Sequence, residues 1–155
     1  MITLQTRIVV PGLTGRQITD FLLNCDDESY QRWWPGTHLA YHTITRFPDG
    51  IGNIVYMDEY VGTRRIKMTG VVAGLIPGRR YEWRARLLVP LPVRFLIELA
   101  DTPAGVAITH TLQAGFTGLG RILDPAFRMY FSKTFAKAMD EHVRIEFPKL
   151  QQLLN

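Results

Sequence analysis

IPGRRYEWRARL, Ile76 to Leu87, carries two interleaved sets of side chains. Tyr81, Trp83, Ala85 and Leu87 share one parity, and Arg80, Glu82, Arg84 and Arg86 share the other. Successive side chains of a strand point to opposite faces, so this stretch reads as a strand with an aromatic interior and a charged exterior. Pro77-Gly78 ahead of it supplies turn geometry. The same pattern extends in both directions. Between Thr37 and Gly115 the turn signals FPDG (47–50), VGTR (61–64), LIPG (75–78), VPLP (89–92) and DTPAG (101–105) separate six strands, near 37–46, 52–61, 63–73, 79–88, 94–100 and 105–115. Short connections favour antiparallel neighbours.

Ahead of this region, Ile2 to Val10 is rich in β-branched residues and reads as a strand ended by Pro11-Gly12. Thr14 and Gln17 have capping-box spacing, with Leu13 and Ile18 placed as a hydrophobic staple, so a helix is expected from about Gly15 to Asn24. A second short helix should start at Asp26 or Asp27 and end by Trp34, because Pro35 disfavours helical geometry in the residue before it. Beyond the strands, Asp124 as N-cap and Pro125 at the first position open a long helix. Up to Phe147 it would span roughly 35 Å. Leu123, Phe127, Tyr130, Phe131, Thr134, Phe135, Ala138 and Ile145 form its apolar stripe, and Pro148 should bend or stop it. With no repeat, low-complexity segment or linker, residues 1–155 read as one domain of the α+β class.

Hydrophobic residues make up 46% and charged residues 21% of the chain, which excludes a disordered composition. No apolar run reaches the ~18 residues of a membrane span, and the start lacks the pattern of a signal peptide. The single cysteine, Cys25, permits no internal disulfide, fits a cytoplasmic location and reads as a small buried hydrophobe. The net charge of +4 is unevenly spread: seven bases and one acid lie between Arg64 and Arg86, against 11 bases and 13 acids elsewhere.

Strand, two short helices, six antiparallel strands and a long C-terminal helix: this order resembles the helix-grip fold of the START-related SRPBCC superfamily. YQRWWPG, IPGRRYEWRARL, DTPAGVAITHTL and GLGRIL resemble stretches of its polyketide cyclase/dehydratase-like and lipid-transport branches, and the similarity covers nearly the whole chain. The resemblance implies a curved sheet of about seven strands wrapped around the C-terminal helix, with a hydrophobic cavity between them and the short helices at its open end. Members of the superfamily transport lipids, sense hormones or cyclise polyketides, so the fold does not select among these functions.

His38 and His42 lie in HLAYHTITRF, where four strand residues span about 13 Å. That is too far for both imidazoles to reach one ion at ~2 Å. They alternate against Leu39 and Tyr41, so both are expected to face solvent, and neither a metal nor a cofactor is expected. One of Trp33 and Trp34 must cover the core, and the other packs beside it or rims the cavity. His110 shares the apolar parity of Val106, Ile108 and Leu112. His142 lies on the apolar side of the final helix, with Glu146 four residues on. The two are either an acid–base pair or ligand anchor, or buried histidines with satisfied partners. In NIVYMDEYV one parity holds Ile54, Tyr56, Asp58 and Tyr60, the other Val55, Met57, Glu59 and Val61. Whichever faces inward makes Asp58 or Glu59 the candidate catalytic carboxylate.

The expected ligand-contacting set combines Tyr41, Tyr56, Met68, Tyr81, Trp83, Phe95, Ile97, Ile108 and His110 from the sheet with Phe127, Tyr130, Phe131 and Phe135 from the helix, and Trp33 or Trp34 at the lip. Arg80, Arg84 and Arg86 on the outer face are a solvated surface or a contact for anionic membrane lipids or an acidic partner. No nucleic-acid motif accompanies them. Three functions fit: binding or transport of a hydrophobic small molecule or lipid, a cyclase or dehydratase using histidine and carboxylate acid–base chemistry, or a partner-binding module with a filled core. Nucleophile elbows, phosphate loops and Cys-x-x-Cys pairs are absent from the sequence.

Overall fold

The strand read from YEWRAR sits at the centre of the sheet. A computed structural model describes residues 1–86, 90–116 and 118–155, with backbone only at 90, 119, 123, 124 and 126. Leu87 and the side chains of Leu123 and Asp124, with the cap assigned to the latter, lie outside the described residues. The strands are β1 (Ile2–Val10), β2 (His38–Thr45), β3 (Ile54–Val61), β4 (Arg64–Ile76), β5 (Arg80–Arg86), β6 (Pro90–Thr102) and β7 (Gly105–Ala114). They form one antiparallel curved sheet in the order β1-β7-β6-β5-β4-β3-β2. Between β1 and β2 run α1 (Gly15–Asn24) and α2 (Asp27–Trp33). A 3-10 turn (Gly118–Leu123) leads into α3 (Asp124–Tyr130) and α4 (Lys133–Leu154). This is the helix-grip architecture.

Local chemistry sets the elements. The α1 capping box is closed in both directions: Gln17 N donates to Thr14 Oγ1 at 3.2 Å, and Thr14 N donates to Gln17 Oε1 at 2.9 Å. Register shifts in β2–β3, β4–β5 and β5–β6 supply the irregularities that bend a sheet. Gly70 pairs with Ala85, and a Cβ there would collide with the Trp83 ring, so the missing side chain lets the indole lie across β4. On the concave face α4 places Phe135, Met139, Val143, Phe147 and Leu150, all buried, at helical spacing. The C-terminal helix thereby packs on the sheet and on α2.

Three details correct the sequence reading. The helix expected over 124–147 is two helices, broken at Phe131-Ser132. Ser132 is extended, and its hydroxyl caps the new start by accepting from Phe135 N at 3.3 Å. Pro148 does not stop α4, which continues to Leu154. A helix-interior proline costs about 3 kcal/mol, but the turn beyond it buries Leu150 completely and packs Leu153 and Leu154 on the core. Finally, Pro90 to Pro92 belong to β6 rather than to a turn, with Pro90 tolerated at the strand's first position. No helix among the described residues is long and apolar enough to cross a membrane.

Candidate functional site

Two chambers lie between the sheet and the helices, and Phe95 lines both. The larger, about 320 Å³, is an apolar pouch. Met68, Val93 and Leu112 of the sheet form its floor, with Phe127, Phe131 and Phe135 of the helical segments on the other side. Its helical wall comes from the break between α3 and α4, where Phe131 stacks on Phe127 at 6.2 Å and meets Phe135 edge-on at 5.4 Å between centroids. The smaller chamber, about 80 Å³, has polar groups in its wall: Glu59, His110, His142, Glu146, Tyr41 and Tyr81. At ~30 Å³ per water it holds two or three waters or the small polar end of a ligand. Of these two chambers, the pouch reaches the lower range of ligand sites.

At the wall of the inner chamber, four ionisable side chains converge. His38 Nε2 lies 3.8 Å from Glu59 Oε2 and 3.6 Å from Glu146 Oε1. His142 Nε2 lies 3.8 Å from Glu59 Oε2 and 3.9 Å from Glu146 Oε2. The Tyr30 hydroxyl donates to Glu59, and its ring stacks on His38 at 4.0 Å. Nε2 of His38 and Nε2 of His142 have no hydrogen-bond partner. Burial, followed by the charge of His142, drives His38 down to about 3 against an opposing contact with the Tyr30 backbone. Burial takes His142 to about 4 against an opposing backbone hydrogen bond at Tyr60. Burial also raises Glu59, with Tyr30 pulling the other way, and raises Glu146 together with the charge of Glu59.

His38 is the main departure from the sequence reading, which puts it in solvent. It is fully buried. The register shift between His38 and Ala40 breaks the alternation, so His38 and Tyr41, three residues apart, both turn inward. His42 does face outward, its Nδ1 2.8 Å from Asp27 Oδ1. The ambiguous β3 parity resolves as Val55, Met57, Glu59 and Val61 inward. Asp58 lies on the other face, held by Arg65 through bonds of 2.9 and 2.8 Å and lowered for that reason from its ordinary range. Tyr56 shares that face, against His42, and lines neither chamber.

Of the remaining candidates, Trp33, Tyr41, Tyr81, Trp83, Ile97 and His110 line the inner chamber. Met68, Tyr130 and the three phenylalanines of the helical side line the pouch. Ile108 is core and reaches neither chamber. Trp34 packs beside His142 at 4.8 Å and lines a separate shallow groove. Cys25 is buried, and that burial pushes its thiol up to about 12, which removes it as a nucleophile. On the outer face, Arg80 and Arg84 are engaged with Glu82, while Arg86 is exposed.

Burial, then the charge of His142, lowers His110 to about 4 from 6.5. Between these values the unfolded chain binds more protons than the folded one, so stability falls as pH drops from 6.5 towards 4. His110→Gln should remove about 1–2 kcal/mol of that decline between about pH 7 and pH 5. Urea midpoints of both proteins at the two pH values measure it, and parallel declines would count against a buried neutral His110.

A curved antiparallel sheet gripped by its last helix is a START-like fold, and comparison with solved structures agrees. A START superfamily protein from Mycobacterium smegmatis superposes with a TM-score of 0.68 at 12% identity, covering 99% of both chains. A protein from Thermus thermophilus gives 0.67 at 12% identity over 98% of this chain and 96% of its own. The Aha1 dimer from Colwellia psychrerythraea gives 0.52 at 14% identity over 96% and 99%. At these identities the likeness establishes the fold. No family model matches the sequence, and no curated protein matches it.

Proposed function

We propose that this protein binds a hydrophobic small molecule or a single lipid chain, with the apolar body in the pouch and a polar end directed past Phe95 toward His110. The observation that carries this reading is the pouch of about 320 Å³ with an almost entirely apolar lining. Displacing water from such a surface favours binding at about 25 cal/mol per Å², and a few polar groups suffice to orient the ligand. Chemistry on the ligand is the second reading. It is supported by Glu59, His110 and His142 in the wall of the inner chamber, where groups of shifted proton affinity meet. The exposed Arg86 and the edge of Arg84 would then assist delivery at an anionic membrane. Cytoplasmic location accords with the lone, buried Cys25.

Filling the pouch tests the proposal. Met68→Trp should weaken saturable binding of an apolar fluorophore by about tenfold or more, since ~1.4 kcal/mol is a factor of ten. His42→Gln, outside both chambers, should leave binding unchanged. Equal affinities for Met68→Trp and the wild type would remove the pouch as the site.

A further inference from the structure

We propose that His38, Glu59, His142 and Glu146 form a four-coordinate site for a divalent transition metal, with zinc the ion that best suits the donors. Ligand binding in the pouch does not enter this proposal. One donor atom from each residue lies within 4.8 Å of the other three. The nitrogen–oxygen separations are 3.6, 3.8, 3.8 and 3.9 Å. Donors around a tetrahedral zinc at roughly 2.0–2.1 Å stand about 3.4 Å apart, so closure asks these pairs to draw together by up to about 0.5 Å, and the widest pair, within 4.8 Å, by up to about 1.4 Å.

Three further features favour an ion over a set of mutual hydrogen bonds. His38 is fully buried, and its Nε2 faces both carboxylates without bonding either. Nε2 of His142 is in the same condition. Metal binding would ionise Glu59 and Glu146, and two carboxylates with two neutral imidazoles then carry minus two, which a dication neutralises. The supporting groups are also in place. Tyr30 donates to Glu59 and stacks on His38. The Tyr60 backbone lies against the His142 ring, whose Nε2 has no hydrogen-bond partner. Such outer contacts fix imidazole orientation in metal sites.

The donor set selects the metal. Two imidazoles with two carboxylates suit zinc and its first-row neighbours, whereas magnesium and calcium prefer oxygen alone. Its placement indicates a structural role. His38 comes from β2, Glu59 from β3, and His142 with Glu146 from one face of α4 at i,i+4 spacing. An ion here would tie the β2–β3 edge of the sheet to the gripping helix. The His38–His42 pair considered from sequence is replaced by His38 with partners from other elements.

The test uses chelator-stripped full-length protein, one equivalent of zinc, gel filtration and metal analysis, with cobalt(II) as a spectroscopic substitute. One zinc per chain should be retained, cobalt should give the intense visible bands of tetrahedral coordination, and magnesium should not compete. Glu146→Gln and His38→Gln should each weaken zinc binding by more than about 100-fold, the upper end of what losing an outer-shell partner costs. His42→Gln should bind as the wild type does. The cobalt spectrum is read on the unaltered chain, and Glu146→Gln preserves side-chain volume, so the outcome does not depend on a disruptive variant. Zinc lost on gel filtration, a weak octahedral cobalt spectrum, or full zinc retention by Glu146→Gln would overturn the site.

Discussion

Trp33→Ala is expected to lower folding stability by about 3–5 kcal/mol, the range for emptying a buried aromatic site. Trp33 is 3% exposed. Its ring meets Phe21 edge-on at 5.3 Å and His38 at 4.7 Å. Its indole N–H donates to the Glu146 carbonyl at 2.6 Å, binding α2 to α4. The substitution removes all of these and leaves that carbonyl without its donor. Set against the 5–15 kcal/mol typical of a domain, the loss is roughly a third to a half of a mid-range stability of about 10 kcal/mol. Trp34, its neighbour in sequence, is half-buried and packs on His142 and beneath Lys149. Trp34→Ala should cost about 1 kcal/mol. Urea unfolding of the two variants measures the contrast, and equal losses would show that α2 is anchored differently.

Glu82→Gln is the second large effect. The carboxylate is buried on the outer face and accepts from Arg80 at 2.6 Å, from Arg84 at 3.0 Å, and from Arg94 at 2.8 and 3.0 Å. Arg94 grips it bidentately, the strongest common form of this contact. These guanidiniums outweigh the burial that would raise the group and hold Glu82 down to about 2. The arginines are 37%, 63% and 32% exposed, so solvent screens part of the attraction. Allowing for that, the amide should cost about 2 kcal/mol. The folded value lies below the unfolded one of 4.5, so this stability is present above 4.5 and is lost as pH falls toward 2. The gap between wild type and Glu82→Gln should therefore narrow between about pH 6 and about pH 3. A gap that stays constant would mean that the arginines stabilise the sheet without the carboxylate.

The Glu82 cluster also shows how far sequence carries. In β5 the two parities differ sharply in chemistry, so their facing is legible, and the same holds for Phe95, Ile97 and Leu99 against Arg94 and Glu98. That the outer arginines converge on one carboxylate is not legible, because Arg94 comes from the next strand. In β3 both parities mix apolar and acidic residues, so only pairing with β4 settles that Glu59 faces in and Asp58 out. Sequence misplaces His38 for a local reason: a bulge leaves no mark on composition, yet it moves a side chain to the other face. The break at Ser132 is hidden similarly, since the aromatic residues on either side keep the 3–4 spacing of one helix. It is this break that gives the pouch its helical wall. The His142–Glu146 spacing is visible in the sequence, but its partners His38 and Glu59 are distant along the chain and meet only once α4 lies on the sheet.

Whether the pouch holds an apolar molecule is read from native mass spectrometry of freshly purified protein, followed by organic extraction. The expected result is a stoichiometric apolar adduct, released by extraction and diminished in Met68→Trp. A bare mass, together with no saturable uptake of any apolar probe, would contradict it.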